Sequence, residues 1–200
     1  ASLGTQLNFT WSRIAGLEMR LGQQQAAQAS FESAVKAHEQ FLAQLPEGTV
    51  RRSVQALPPD IWRARLELWR GNDEAALAIS KSMIERLQGI STEAETLRVG
   101  EIRDNLLRFA LSTASMAAIG LGRYEEAESL SRARLAVPPN LSGDADPEDE
   151  ISRATVVLAH TVALQGRASE ALAMVQSVLD GYRAEQQDGA GGTTFQRDLA

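Results

Sequence analysis

The chain repeats one pattern of small residues four times, and this repetition constrains its fold more than any other feature. In each copy a Gly stands five residues before an Ala, and another small residue stands seven residues before that Gly. The four copies are Ala15/Gly22/Ala27, Ala64/Gly71/Ala76, Ser115/Gly122/Ala127 and Ala159/Gly166/Ala171. Small residues at fixed offsets around a Gly allow two helices to approach closely on either side of a tight turn. We therefore predict a helical repeat architecture, whose usual task is binding and not catalysis.

Composition favours helices and argues against several kinds of site. The 200 residues are 44% hydrophobic but only 5% aromatic, which favours helix-on-helix packing over sheet packing. The formal net charge of -6 argues against a nucleic-acid-binding surface. The chain has no Cys and only two, widely separated His residues, so we expect no disulfide, no metal site and no cofactor. No apolar run reaches the roughly 20 residues that a membrane-spanning helix needs.

Helical periodicity and its stop signals divide the chain into four antiparallel helix pairs and show no sustained strand pattern. The predicted repeats span residues 5–45, 60–88, 92–137 and 147–187, and the pattern at 193–200 predicts the start of a fifth. We interpret residues 1–200 as a single repeat domain. The first residue is not Met and the last helical pattern is interrupted, which predicts a fragment of a larger protein.

The connections between the pairs carry their own signals. Residues 46–59 are predicted to be a linker, after which Asp60 caps the next helix. The motif Thr92-x-x-Glu95 is a capping box and predicts a helix that reaches Leu121.

The acidic run before the last helix pair does not fit a calcium site. An EF-hand loop needs Gly at its sixth place and Glu at its twelfth, where this run has Asp149 and Thr155. Asp146 and Pro147 instead match the cap and the first-turn Pro of a helix start. We therefore predict a loop at 140–146 followed by a capped helix.

The residues around the turns resemble the tetratricopeptide repeat (TPR). The first repeat has Trp11-x2-Ile14-Ala15 before its turn and Ala27-x3-Phe31-x2-Ala34 after it. The third and fourth repeats match at Leu121-Gly-Arg-Tyr-Glu-Glu-Ala127 and at Gln165-Gly-Arg-Ala-Ser-Glu-Ala171. The second is the weakest, because Asp60 and Arg63 stand where large apolar residues are expected.

The turn glycines stand 44 to 51 residues apart, which exceeds the roughly 34 of the TPR family. The chain is in this respect similar to the long-repeat TPR arrays of large bacterial regulatory proteins. The resemblance implies an all-α, right-handed superhelix of four antiparallel helical hairpins plus the start of a fifth. From the small residues that face each other across the first turn, we also predict that Trp11, Ile14 and Phe31 fill the space further from the turn, in the core of the first hairpin.

The resemblance also implies where a partner would bind, because the first helix of each TPR hairpin lines a concave groove. The candidate groove residues are Phe9, Arg20, Arg65, Trp69, Phe109, Met116, Arg153 and His160. Cationic side chains among apolar ones suit an acidic peptide or the carboxylate of a peptide C terminus. The alternative interpretation is that the apolar residues pack neighbouring repeats and that the arginines are solvated.

We predict a protein-interaction scaffold, or a regulatory or sensor module, that binds a peptide or a partner domain. The alternative is a structural module of a larger signalling or transcription-regulatory protein that self-associates through its exposed repeat ends. A helical enzyme is the least supported class, because no catalytic constellation is recognisable and no catalytic residue is assigned. A cytoplasmic location is the default, and a periplasmic domain of a membrane-anchored regulator fits equally well. The excess of Arg over Lys indicates a bacterial source.

Overall fold

The regular structure of the described part of the chain is entirely α-helical. The computed structural model describes residues 3–93, 95–139 and 147–187. These ranges contain α1 (Leu3–Arg20), α2 (Gln24–Leu42), α3 (Val50–Gln55), α4 (Pro58–Trp69), α5 (Asp73–Gln88), α6 (Leu97–Gly120), α7 (Tyr124–Ala136), α8 (Pro147–Leu164) and α9 (Ala168–Gln187). Apart from the six-residue α3, these helices have 12 residues or more. The predicted all-α class is therefore confirmed.

The eight longer helices form four hairpins with a common turn. We number them hairpin 1 (α1 and α2), hairpin 2 (α4 and α5), hairpin 3 (α6 and α7) and hairpin 4 (α8 and α9). The four turn glycines have φ between 71° and 78°, a left-handed conformation that Gly adopts without steric cost.

Backbone hydrogen bonds close each of these turns in the same way. In hairpin 1, the Gly22 N–H donates to the Met19 carbonyl at 2.9 Å and the Gln23 N–H to the Glu18 carbonyl at 2.8 Å. The same two bonds recur in the other three hairpins. This is the Schellman arrangement, which satisfies carbonyls at the end of the first helix and reverses the chain.

The recurrent small residues are buried between the two helices of each hairpin. The four alanines after the turns are 0% to 7% exposed, and the four small residues before the turns are 1% to 5% exposed. In hairpin 3, Ser115 Oγ donates to the Ala127 carbonyl at 3.1 Å, so the two small positions face each other. The repeated sequence pattern is thus a packing pattern, since larger side chains at these positions would hold the helices apart.

The apolar core is largest where hairpins 2 and 3 meet. Leu57, Leu77, Met83 and Leu87 pack there against the alanines of α6. Smaller clusters lie in hairpins 1 and 4. The cluster of hairpin 1 includes Leu66 of α4, which is 2% exposed and joins hairpin 1 to hairpin 2.

The predicted linker at 46–59 is wrong in two respects. Its middle forms α3, whose first turn is capped by Thr49, because Thr49 Oγ1 accepts a hydrogen bond from the Arg52 N–H at 3.2 Å. The next helix, α4, begins at Pro58 and not after Asp60. Asp60 therefore lies in the first turn and does not cap the helix, and prolines occupy positions where no intrahelical N–H is needed.

The predicted capping box at Thr92 is also wrong, because α6 begins only at Leu97. Thr92 and Glu95 instead belong to a turn in which the Glu95 N–H donates to the Thr92 carbonyl at 3.0 Å. The side chain of Thr92 faces the helix, since a Cβ built on Gly100 would lie 3.6 Å from Thr92 Oγ1. That hydroxyl is therefore not used as a helix cap.

Trp11 is not in the core of hairpin 1, since it is 37% exposed. Met19 and Phe31 fill that cluster with the small residues of the turn. The predicted loop at 140–146, its Asp146 cap and the predicted helix at 193–200 lie outside the described residues. Among the described residues, no helix combines the length and the apolar character that crossing a membrane requires.

Candidate functional site

The predicted groove residues occupy equivalent places on the first helices of the hairpins. Arg65, Met116 and His160 stand six residues before their turn glycine, Arg20 and Trp69 two residues before, and Phe109 and Arg153 thirteen before. These seven side chains are all exposed. The side chain of Phe9 lies outside the described residues. The exposed positions recur with the register of the hairpins, so they mark one side of the first helices.

Two of these residues, Arg65 and Trp69, stack where α1 meets α4, and Arg20 of α1 lies close enough for its charge to act on Arg65. The Arg65 guanidinium lies over the Trp69 ring, with its carbon 5.3 Å from the ring centroid. The ring reaches α1 at Gly16, where an added Cβ would lie 3.0 Å from Trp69 Cη2. Because Gly16 has no side chain, the indole can lie against the helix that also carries Arg20. We call Arg20, Arg65 and Trp69 the arginine–tryptophan cluster.

The electrostatics of this cluster are unusual for two exposed arginines. Burial lowers the pKa of Arg65, and the positive charge of Arg20 lowers it further. Two like charges therefore act on each other at a place where one of them is partly desolvated. The stacking of Arg65 on an aromatic face compensates part of this cost and fixes the direction of the guanidinium.

The remaining candidates lie apart from this cluster, along α6 and α8. Phe109 and Met116 are 46% and 49% exposed and stand seven residues apart, so they share one side of α6. Arg153 lies on α8, which packs against α9. Burial raises the pKa of Tyr182 of α9, and the positive charge of Arg153 opposes that shift. Arg153 therefore belongs to the surroundings of the α8–α9 contact. His160 is exposed about two turns further along α8 than Arg153.

One important polar residue was not predicted from the sequence. His38 of α2 is 1% exposed, and its Nε2 donates to the carbonyl of Gln55 at the end of α3. The ring also packs edge-on against Trp62 of α4, with centroids 5.5 Å apart. His38 stands sixteen residues after its turn glycine, as does the fully buried Leu87, so the register did contain a signal for its burial.

A partly buried ion cluster joins hairpin 3 to hairpin 4 and was likewise not predicted. Arg108 of α6 is 4% exposed, its Nε lies 2.7 Å from Glu150 Oε1, and its guanidinium donates to the Pro138 carbonyl. Arg134 lies 3.9 Å from the same carboxylate oxygen. Burial lowers the pKa of Arg134. The cluster connects α6, the segment after α7, and α8, so its role is to position hairpin 4.

Within the described residues, no group of three or more His, Cys, Asp or Glu side chains could hold a metal ion. The candidate site therefore consists of exposed side chains on the first helices, with the arginine–tryptophan cluster as its most compact part. The chain significantly matches no protein-family model, no curated protein and no solved structure.

Proposed function

We propose that the chain is a TPR-like array that binds an acidic peptide segment, or the free C terminus of a peptide, on the exposed side of its first helices. The support for an array is the common Schellman turn and the buried small residues in all four hairpins. The support for binding on this side is that cationic and apolar side chains are exposed at equivalent positions of successive first helices.

The observation that carries the proposal is the arginine–tryptophan cluster. A carboxylate placed between Arg20 and Arg65 would accept charge-assisted hydrogen bonds from both guanidinium groups and would remove the repulsion between them. Stacking on Trp69 holds Arg65 in place before any ligand arrives, which reduces the entropy lost on binding. The exposed part of the indole offers an apolar surface to the side chain next to that carboxylate.

The exposed residues of the later hairpins extend the same interpretation. Phe109 and Met116 supply apolar surface on α6, while Arg153 and His160 supply polar and cationic groups on α8. A ligand that crosses from hairpin 1 towards hairpin 4 would therefore contact the two arginines of the arginine–tryptophan cluster first. It would then contact the apolar surface of α6, and last the polar and cationic side chains of α8. We propose an extended peptide, since an extended chain can reach several first helices at once.

The test is selection of binders from a random peptide library displayed with free C termini, followed by fluorescence anisotropy with the labelled peptides selected. We expect acidic or carboxyl-terminal sequences that carry an apolar residue beside the charge. The double substitution Arg20→Glu with Arg65→Glu should weaken their binding by at least about 100-fold, because each charge-assisted hydrogen bond contributes about 1.5–3 kcal/mol.

The matched control is Arg51→Glu with Arg98→Glu. It makes the same change of net charge at two exposed arginines that lie on α3 and in the first turn of α6. Binding should be nearly unchanged in this control at physiological salt. Equal loss in both double variants, or selection of basic peptides, would contradict the proposed site.

A further inference from the structure

Neighbouring hairpins are joined by one recurrent pair of positions. At two of the three junctions, the residue immediately before a turn glycine hydrogen-bonds to the residue that stands six places after the glycine of the preceding hairpin. Arg70 donates to Gln28 Oε1 at 2.7 Å between hairpins 1 and 2, and Gln165 donates to Glu128 Oε2 at 2.8 Å between hairpins 3 and 4. Between hairpins 2 and 3 the equivalent residues are Leu77, which is buried in the apolar cluster of these hairpins, and Leu121, which packs against that cluster.

The chemistry of each pair is matched. Two junctions pair a side-chain donor with an oxygen acceptor, and the third has Leu at both positions, in one apolar cluster. At these positions the second helix of one hairpin therefore meets the end of the first helix of the next hairpin.

Two residues at these positions have no neighbouring hairpin within the described residues, one directly after α1 and one on α9. Leu21 stands immediately before the first turn glycine and is 71% exposed, and Leu172 stands six residues after the last turn glycine and is 69% exposed. Both are Leu, as in the Leu77–Leu121 pair, where Leu77 is only 3% exposed. The two free positions are thus complementary to each other.

A second pair of residues is also exposed on α1 and α9 although the equivalent residues inside the array are buried. Leu17 of α1 is 57% exposed, whereas the equivalent residues of the other first helices, Leu66, Ala117 and Thr161, are 0% to 2% exposed. Leu179 of α9 is 44% exposed, whereas its equivalent in α5, Ile84, is 8% exposed. The outer surfaces of α1 and α9 therefore carry apolar residues at positions that are covered by a helix elsewhere in the array.

We infer that these two surfaces bind each other between copies of this chain, with α9 of one copy packed on α1 of the next. A single chain carries both halves of this contact, and they have the same matched Leu–Leu chemistry as the junction between hairpins 2 and 3. The inference goes beyond the proposed peptide binding and does not depend on it, because it uses the outer surfaces of α1 and α9 and not the arginine–tryptophan cluster.

The association is head to tail, because the two surfaces are different. A head-to-tail contact leaves one free surface of each kind on every dimer, so further copies can add until a ring closes or an open chain grows. A two-fold dimer would instead use the same surface on both copies and would stop at two chains. This difference makes the inference testable by mixing variants.

The experiment measures the average mass of the full 200-residue chain by sedimentation and light scattering over a series of protein concentrations. The wild-type mass should rise above the single-chain 21.6 kDa and should pass the mass of a dimer at high concentration. Leu21→Glu and Leu172→Glu, each measured alone, should weaken the association constant by at least about tenfold, because each places a charge in an apolar contact.

A mixture of the two variants should form a 1:1 dimer and nothing larger, because only one competent surface of each kind remains. Leu97→Glu is the matched control, since Leu97 is 82% exposed in the first turn of α6, away from both surfaces. It should associate like the wild type. Circular dichroism checks that all variants keep their helix content.

Three results would overturn the inference. The first is a wild-type chain that stays at 21.6 kDa at every concentration. The second is association as strong as that of the wild type in each of the two single Leu→Glu variants. The third is a wild-type dimer that never grows, combined with a variant mixture that stays monomeric, since this pattern belongs to a two-fold contact. In each case peptide binding can still be measured, so failure here and failure of the proposed function remain distinguishable.

Discussion

The four turns inside the hairpins have one geometry, whereas the three connections between hairpins have three. Each turn is closed by the same two backbone hydrogen bonds around a glycine with positive φ. Each connection is instead held by a side chain that reaches a backbone carbonyl from another helix. His38 binds the carbonyl of Gln55, Arg103 that of Ile90 at 3.3 Å, and Arg108 that of Pro138.

This difference separates two sources of structure. The turns depend on local backbone geometry and on small side chains. Both are determined by about a dozen neighbouring residues of the sequence. The connections depend on contacts between residues that are 13 to 30 positions apart, so they form only when the connecting segment has packed against a helix. Breaking a turn contact should therefore damage one hairpin, while breaking a connection should loosen the contact between two.

The largest effect is expected from overpacking a turn contact. Ala127→Leu inserts a large side chain at a residue that is 0% exposed and whose carbonyl binds Ser115. We expect a loss of about 3 kcal/mol in the free energy of unfolding, measured by urea denaturation. Ala133→Leu, at an exposed position of the same helix, is the control and should change stability by less than about 0.5 kcal/mol. Equal stability of the two variants would contradict the packing described.

The next effect concerns the first connection. His38→Ala removes the donor to the Gln55 carbonyl and the ring that packs against Trp62, and should cost about 2 kcal/mol. The loss should appear as faster amide hydrogen exchange in α3, while the turn around Gly22 keeps its protection. Uniform loss of protection over hairpin 1 would show that the connection and the hairpin are not separate.

The same residue predicts a pH dependence of stability. Burial lowers the pKa of His38 below its ordinary value of 6.5, while the hydrogen bond to Gln55 and the charge of Glu39 partly oppose this shift. The unfolded chain therefore binds the proton more readily, so stability is complete above about pH 6.5 and falls as the pH drops from there towards the lower folded-state pKa. His38→Gln keeps a donor but cannot titrate, so it should remove this part of the dependence. If the stability of the wild type changed between pH 7 and 5 in the same way as that of His38→Gln, this pH dependence could not be assigned to His38.

A smaller effect is expected from the backbone of a turn. Gly71→Ala forces a Cβ into a conformation with φ of 77°, although no atom lies within 4 Å of that Cβ. The cost is therefore strain alone, about 1 kcal/mol. Gly181→Ala is the matched control, because that helical glycine also has open space around it but no positive φ. It should stabilise α9 by about 0.5 kcal/mol. The two thermal shifts should therefore have opposite signs, and shifts of the same sign would exclude the turn geometry.

The smallest effect is expected at the cap of α3. Thr49→Ala removes the hydroxyl that accepts the Arg52 N–H, and should cost about 0.5 kcal/mol because α3 is short and its neighbours hold it in place. Ser53→Ala removes a hydroxyl on the same helix that only donates to the Thr49 carbonyl, and should leave the midpoint of urea unfolding unchanged. A larger loss in Ser53→Ala than in Thr49→Ala would show that the cap does not define the start of α3.

The contrast between turns and connections also explains what the sequence could predict. The four turns were predictable because Gly and the small residues around it are a local signal. The six-residue α3 was not predicted, because it is short and is held by the distant side chain of His38. The wrong capping box at Thr92 has the same origin, since that hydroxyl faces α6.

In the candidate site, too, local spacing was predictable and the contacts between hairpins were not. Helical spacing placed Arg20, Arg65 and Trp69 on one side of their helices, and the structure leaves all three exposed. That Trp69 lies against Gly16 could not be predicted, because the contact depends on how hairpins 1 and 2 pack. Trp11 was predicted in the core, but the buried cluster of hairpin 1 contains Met19 and Phe31, and Trp11 is exposed. That these exposed residues bind a peptide stays a prediction.

The most direct test of the common register is chemical crosslinking of paired cysteines, since the chain has no Cys of its own. Two variants carry Gln28→Cys with Arg70→Cys, and Glu128→Cys with Gln165→Cys. Their off-register controls carry Gln28→Cys with Arg65→Cys, and Glu128→Cys with His160→Cys. With a short bismaleimide reagent, we predict rapid crosslinking within one chain for both register pairs and much slower crosslinking for both controls. Equal rates in register pairs and controls would contradict the claim that one register joins successive hairpins.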